Sequence, residues 1–278
     1  MSGSIPVRGT HARRRKGPRR ASAGLTPGRA AAALVLVLVV AAGWGLTASE
    51  AFTVTELDVT GTDYTPPESV ATALAMPSPG ANAFALATEP LGSRLRALPT
   101  IATAEVEVVL PDTLRVRLEE REPVLTWRTA ERALLIDREG RVLADAADPA
   151  ATEATRQAAE RLPAVDDRRA APFLPGPGGT LEPLLLDVAT RLLSLRPADV
   201  GSGSTGLTVA LDGADGWIIQ PAVDEPWTAV FGVYTAELRP PDIVPAQVRL
   251  LRSLLMGREQ KIARVVLADA ENGTYVTR

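Results

Sequence analysis

The 278-residue chain contains no cysteine and one histidine, His11. A disulfide framework, thiol catalysis and thiolate metal sites are therefore excluded. His11 lies in a basic stretch near the start, so histidine-based metal sites and catalytic triads are excluded for everything that follows it. Aromatic side chains make up only 4% of residues, which leaves Ala, Val and Leu to build the core. Acidic residues are missing from the first 29 positions, which carry Arg8, Arg13, Arg14, Arg15, Lys16, Arg19, Arg20 and Arg29. Taking those eight from the total of 30 leaves 22 basic against 33 acidic residues, a net −11 hidden behind the formal −3 of the whole chain. Such asymmetry describes a basic arm joined to an acidic body.

Charge is also absent from Ala30 to Ser49, a run of 20 residues centred on Leu34-Val35-Leu36-Val37-Leu38-Val39-Val40. As a helix this run is about 30 Å long, the thickness of a bilayer's hydrocarbon core. Arg29 precedes it, and Glu50, Glu56 and Asp58 follow it. The positive-inside rule then predicts a transmembrane helix over 30–49 in contact with membrane lipid, with tail 1–29 in the cytoplasm, the bulk outside and Trp44 near the outer interface. A cleaved signal peptide is the competing reading, because residues 30–42 are short enough for its apolar region. The long preceding tail and the poor cleavage site at Leu46-Thr47-Ala48 favour the anchor. Arg13 to Arg20 has no interleaved aromatics, so it reads as a topology signal that attracts anionic lipid, with no specific nucleic-acid binding.

Residues 50–122 read as one small α+β domain. Phe52 to Val59 is rich in β-branched residues and ends at Gly61, as a strand and turn do. Thr65-Pro66-Pro67-Glu68 predicts a helix start, with Thr65 as N-cap and Glu68 closing a capping box. Met76-Pro77-Ser78-Pro79-Gly80 ends that helix. A second helix follows Thr88, with Leu91, Leu95 and Leu98 on one stripe. Next, Ala104, Val106, Val108 and Leu110 alternate with Glu105 and Glu107, and Leu114, Val116 and Leu118 alternate with Arg115 and Arg117. Side chains alternate with period 2, so keeping both apolar rows on one face requires an odd loop. A three-residue loop at 110–112 places Glu107 opposite Arg115 and Glu105 opposite Arg117.

Residues 123–278 alternate strands and helices more loosely. Val124 to Trp127, Ala133 to Ile136 and Arg141 to Leu143 read as strands about the turn Asp137-Arg138-Glu139-Gly140. Residues 146–180 hold five prolines and read as a long loop or insertion with a short helix at 153–161. A helix is expected within 180–195, strands at 207–211, 217–220 and 227–233, and a long helix from Asp242 to Gly257. Strands at 262–267 and 274–276 close the chain about an Asn272-Gly273 turn.

The order strand, helix, helix, strand, strand resembles a POTRA domain (βααββ). Val59-Thr60-Gly61, Leu98-Pro99-Thr100-Ile101, Leu110-Pro111-Asp112-Thr113-Leu114 and Glu120-Arg121-Glu122-Pro123-Val124 follow in order directly after one apolar span. Together they resemble the FtsQ/DivIB family of bacterial cell-division proteins, and the hairpin and final helix–strand region of 123–278 resembles that family's β-domain. Pro245-Ala246-Gln247 departs from it, since the family usually carries a lysine ahead of the long helix. The resemblance implies a POTRA domain over 50–122, and over 123–278 a mixed β-sheet domain with flanking helices. It also implies a non-enzymatic scaffold at the division septum, without cofactors, whose partners are FtsB/DivIC-like and FtsL-like coiled-coil proteins.

Residue patterns that would carry chemistry are weak. Gly201-Ser202-Gly203-Ser204-Thr205-Gly206 matches a dinucleotide fingerprint, but a strand follows it where a helix is required, so it reads as a loop. Asp166-Asp167 and Asp224-Glu225 are the carboxylates that an alternative, a cell-wall-acting enzyme outside the membrane, would use. A POTRA-bearing secretion factor is a further alternative, but 123–278 is too short and too helical for the barrel that would follow. Trp127, Trp217 and Trp227 read as core or sheet-face residues. For partner binding, the strand Ile262 to Leu267 is expected at a sheet edge with unpaired backbone groups. Val265 and Leu267 on it, with Tyr275, are the candidate contact residues.

Overall fold

The computed structural model describes residues 26–75, 80–223 and 227–278. The chain divides into two compact units, Met1–Ala48 and Ser49–Arg278. In the first, helix α1 runs over Pro27–Ala48. It starts three residues earlier than the uncharged run and takes in Arg29. Pro27–Leu46 is long and apolar enough to cross a membrane, and Leu34, Val37 and Val40 turn their side chains outward.

The second unit begins with a three-stranded sheet of order β1-β3-β2. Its elements are β1 (Glu56–Thr60), α2 (Pro67–Leu74), α3 (Thr88–Arg96), β2 (Ile101–Val109) and β3 (Thr113–Glu120). The β2–β3 hairpin has the register its sequence demands: Val106 faces Val116, Glu107 faces Arg115 and Glu105 faces Arg117 across a loop of residues 110–112. Leu114, Val116 and Leu118 are buried with Leu91 and Leu95 of α3 and Val70 and Leu74 of α2, and Val106 and Val108 pack against this core. On the other face Arg115 bridges Asp58 at 3.1 Å and Glu107 at 3.4 Å, which ties β1 and β2 to β3.

The expected capping box is absent. Pro66 is the N-cap of α2 and makes no side-chain cap bond. Thr65 is buried, and its hydroxyl donates to Glu120 instead. The Glu120 carboxylate also accepts the backbone N–H groups of Asp63, Tyr64 and Thr65 at 2.8, 2.8 and 2.7 Å. A charged acceptor makes stronger hydrogen bonds than a neutral one, so Glu120 takes the hydroxyl that would otherwise have capped the helix.

The larger sheet has nine strands in the order β12-β11-β10-β9-β8-β7-β4-β5-β6. They are β4 (Leu125–Arg128), β5 (Ala133–Ile136), β6 (Val142–Asp145), β7 (Ala164–Asp167), β8 (Leu207–Asp212), β9 (Gly216–Pro221), β10 (Thr228–Gly232), β11 (Ile262–Leu267) and β12 (Gly273–Thr277). Helices α5 (Pro183–Leu193) and α6 (Val244–Leu255) pack on one face, where Val188, Leu192, Val248 and Leu251 meet Trp127, Ile136, Trp217, Phe231 and Val265. Helix α4 (Glu153–Arg161) covers Leu135 and Leu143 on the other face. The overall class is α+β, as the sequence predicts.

Residues 146–180 are not merely an insertion. They contain α4 and β7, and β7 sits inside the sheet, parallel to both β4 and β8. Two of its four residues are aspartates, which hid it. Asp167 is buried, yet it accepts from Trp127 Nε1 at 3.0 Å and from Arg169 at 2.7 and 2.9 Å. A fully satisfied carboxylate can sit in a core where an unpaired one cannot. The basic tail as far as residue 25 and the stretch 76–79 lie outside the described residues.

The two sheets meet around 63–65. Thr152, the N-cap of α4, donates its hydroxyl to Asp63 O at 2.8 Å while accepting from Thr155 N. Arg121 donates to the buried Asp137 carboxylate at 3.3 Å, and its N–H donates to Thr100 O at 2.7 Å. Glu120 and Arg121 therefore bind opposite sides of the same junction.

Candidate docking site at the open edge of the large sheet

The last strand is an edge strand, but it is β12. β11 lies inside the sheet, parallel to β10 and antiparallel to β12. This corrects the choice of contact residues. Val265 and Leu267 are 0% and 1% exposed and pack in the core beneath α6. Neither can reach a partner without unfolding the strand. Tyr275 is 45% exposed and its neighbour Val276 is 60% exposed.

Backbone geometry defines which groups β12 offers. Antiparallel pairs alternate between hydrogen-bonded and non-bonded. Ala268 N donates to Asn272 O at 2.9 Å, so in the following register Thr274 opposite Val266 is bonded and Tyr275 opposite Val265 is not. The N–H and C=O of Gly273 and Tyr275 therefore point away from β11 to the open side. The loop before β12 spans 268–272 and is longer than the expected Asn272-Gly273 turn. It is held by the Asp269 carboxylate, which accepts from Glu271 N and Asn272 N at 2.7 Å each.

The opposite edge of the large sheet is less available. At β6, Gly178 N donates to Val142 O at 2.8 Å and Val142 N to Gly179 O at 2.9 Å, so the chain covers this edge itself. In the small sheet, Arg96 from α3 donates to Ala104 O of β2 at 3.3 Å. Among the described residues no strand pairs with the outer side of β12.

Two polar clusters hold this end of the sheet in shape. Leu267 O and Phe231 O, at the ends of β11 and β10, each accept from Arg239 at 2.6 Å and also from Gln247 Nε2, at 3.2 and 3.4 Å. Tyr234 donates to Gln247 Oε1 at 2.6 Å, and burial pushes its phenol pKa up, which keeps it a donor. Gln247 thus stands where the sequence departs from the family's lysine, and it is fully buried. In the second cluster the Glu259 carboxylate accepts from Ser202, from Gly203 N at 3.0 Å and from Trp227 Nε1 at 2.8 Å. Burial disfavours its charge, but these hydrogen bonds outweigh that and hold its pKa below the usual carboxylate value. The glycine-rich loop therefore binds an anion, and the anion is the chain's own glutamate.

The remaining candidates do not converge. Asp166 and Asp167 occupy successive positions of one strand, hence opposite faces, and Asp167 is committed to Trp127 and Arg169. Asp224 and Glu225 lie outside the described residues. Trp127, Trp217 and Trp227 are all buried, the first two edge to face with centroids 5.9 Å apart. Among the described residues no group of three or more acidic or histidine side chains is placed to hold a metal ion.

The profile of the POTRA domain, FtsQ-type, matches residues 52–121, which are the three-stranded sheet, its two helices and the residue after Glu120. Residues 52–121 thus form a POTRA domain of the FtsQ type. Cell division protein FtsQ of Chloroflexus aurantiacus is 30% identical over 179 residues, covering 64% of this chain and 61% of that protein. The Chloroflexus aggregans and Mycobacteroides abscessus proteins of the same description are each 30% identical, over 66% and 64% of this chain and 65% and 54% of their own lengths. The chain thus spans less than two thirds of these relatives. Sequence reasoning missed Gln247 and Arg239 at the end of the large sheet. The one available signal for them was the absence of the family lysine.

Proposed function

We propose that the chain is a non-enzymatic, single-pass scaffold of the division septum that binds its partners outside the membrane through β12. The observation carrying this reading is the outward N–H and C=O of Gly273 and Tyr275 on a strand that nothing described covers. An incoming strand satisfies these groups and places alternate side chains against Tyr275. Partners of the FtsB/DivIC-like and FtsL-like coiled-coil kind fit the family, and such proteins would supply an extended segment beyond their coil. The N-terminus faces the cytoplasm, because eight cations and no acid precede α1.

Binding without catalysis is supported by where the acids are spent. Asp167 holds Trp127 and Arg169, Glu259 holds the 202–203 loop, and Glu120 holds the turn before α2. The test is a photoreactive residue at position 275 of the full chain in dividing cells. The reading expects a covalent product with another division protein, and mid-cell localisation of the chain. No product from position 275, with products from the POTRA domain instead, would move the site.

A further inference from the structure

We propose that the end of the POTRA domain carrying Phe52, Phe84 and Leu110 rests on the lipid surface and fixes the domain's orientation there. This rests on the reading of α1 as a membrane span. Three segments meet at this end. Ala83 N donates to Phe52 O at 2.7 Å, Val54 N to Ala81 O at 2.9 Å and Thr55 N to Asp112 O at 2.9 Å. The first two join the domain's opening residues to the turn bearing Phe84, and the third joins them to the hairpin loop bearing Leu110.

Phe84 is 47% exposed and Leu110 53% exposed. The rings of Phe52 and Phe84 meet edge to face with centroids 5.0 Å apart. Phe84 is held outward by its turn: its N–H donates to Asn82 Oδ1 at 2.9 Å. Phe52 is half-buried against the domain's core, so Phe84 and Leu110 are the side chains that this end leaves open to an apolar occupant.

Chain length selects that occupant. Phe52 follows the last residue of α1, Ala48, by four positions. Even fully extended, four residues reach only about 14 Å. Glu50–Phe52 is a 3-10 turn capped by the Ser49 hydroxyl, which rises only about 2 Å per residue and shortens the reach further. Residues 52–55 therefore emerge beside the headgroups, and Phe84 and Leu110 are bonded to them through the backbone. Aromatic rings favour this zone, where an apolar body meets a wet boundary. Glu50, Glu56 and Asp112 adjoin the patch, so it suits lipids whose headgroups carry an ammonium, such as phosphatidylethanolamine, over purely anionic ones.

The absence of cysteine makes the test direct. Single variants Phe84→Cys, Leu110→Cys, Tyr275→Cys and Val37→Cys of the full chain, each carrying a nitroxide, would be reconstituted in vesicles of phosphatidylethanolamine and phosphatidylcholine. Relative accessibility to oxygen and to a water-soluble nickel chelate reports depth. The proposal expects the labels at 84 and 110 to favour oxygen several-fold over the label at 275, with the label at 37 deepest. Labels at 84 and 110 as aqueous as that at 275, with 37 immersed, overturn the proposal and leave the span intact. An aqueous label at 37 overturns both. Shielding at 84 and 110 only after a partner protein is added overturns the lipid occupant in favour of a protein one.

Discussion

Removing the Glu120 carboxylate should loosen one turn before it loosens the fold. Its two oxygens accept four hydrogen bonds, from the N–H groups of Asp63, Tyr64 and Thr65 and from the Thr65 hydroxyl. Water can replace it at the exposed Asp63 amide. The other three donors are part-buried, and each left unmade costs about 1 kcal/mol. Glu120→Ala should therefore destabilise by about 3 kcal/mol. For a cooperative unit of this size that is a fall of about 6–12 °C in Tm. Glu120→Gln keeps one acceptor oxygen and should lose roughly half as much. Hydrogen exchange gives a local readout: the amides of Asp63, Tyr64 and Thr65 should lose protection in the alanine variant while those of β7 and β9 keep theirs. Thr152 donates to Asp63 O from the other sheet, so the α4 N-terminus should also exchange faster. Unchanged protection at 63–65 would refute the assignment of Glu120 as the clamp.

Val116 is 0% exposed, so Val116→Asp should bury an uncompensated charge in the POTRA core and cost more than about 3 kcal/mol, seen as loss of cooperative melting of that sheet. Val265→Lys should lower melting temperature and partner affinity together, since Val265 supports β11 from inside; reduced affinity with unchanged melting would return it to the contact surface. For pH, burial opposes the charge of Asp167 and Glu259, but hydrogen bonds, chiefly from Arg169 and from Ser202, outweigh it, so both folded-state pKa values are lowered. A lowered pKa gives stability that is present above the unfolded value of about 4 and is lost as pH falls through the folded value. Stability should fall below about pH 4, and Asp167→Asn or Glu259→Gln should give a shallower acid limb; equal slopes in a urea titration across pH would contradict this.

Elements whose apolar rows follow a period were legible. The β2–β3 hairpin could be read to the residue, because only one loop length keeps Val106 and Val116 on a shared face. β11 and α6 could be read for the same reason. What failed were positions where a polar group is buried with a partner distant in sequence. Thr65 was misread as a cap because its true acceptor, Glu120, lies 55 residues away. β7 was invisible because its Asp167 is matched by Trp127, 40 residues earlier. The edge strand lies one element further along than the sequence suggests. Sequence shows both closing strands and the turn between them, but not that the second of them takes the edge. Tyr275 remained at the surface, while Val265 and Leu267 turned inward with the strand they support.

The most direct test of β12 as the docking edge is a proline at Tyr275. Its N–H points to the open side, so proline there removes an edge donor without breaking the bonds to β11. Losing one net hydrogen bond of about 1 kcal/mol, and obstructing the incoming strand, should weaken binding of a coiled-coil division partner by about tenfold. The melting temperature of the full chain should stay within a degree or two of the unmodified protein. Wild-type affinity in Tyr275→Pro, measured by titration of the full chain in detergent, would contradict the account and place the partner site elsewhere on the chain.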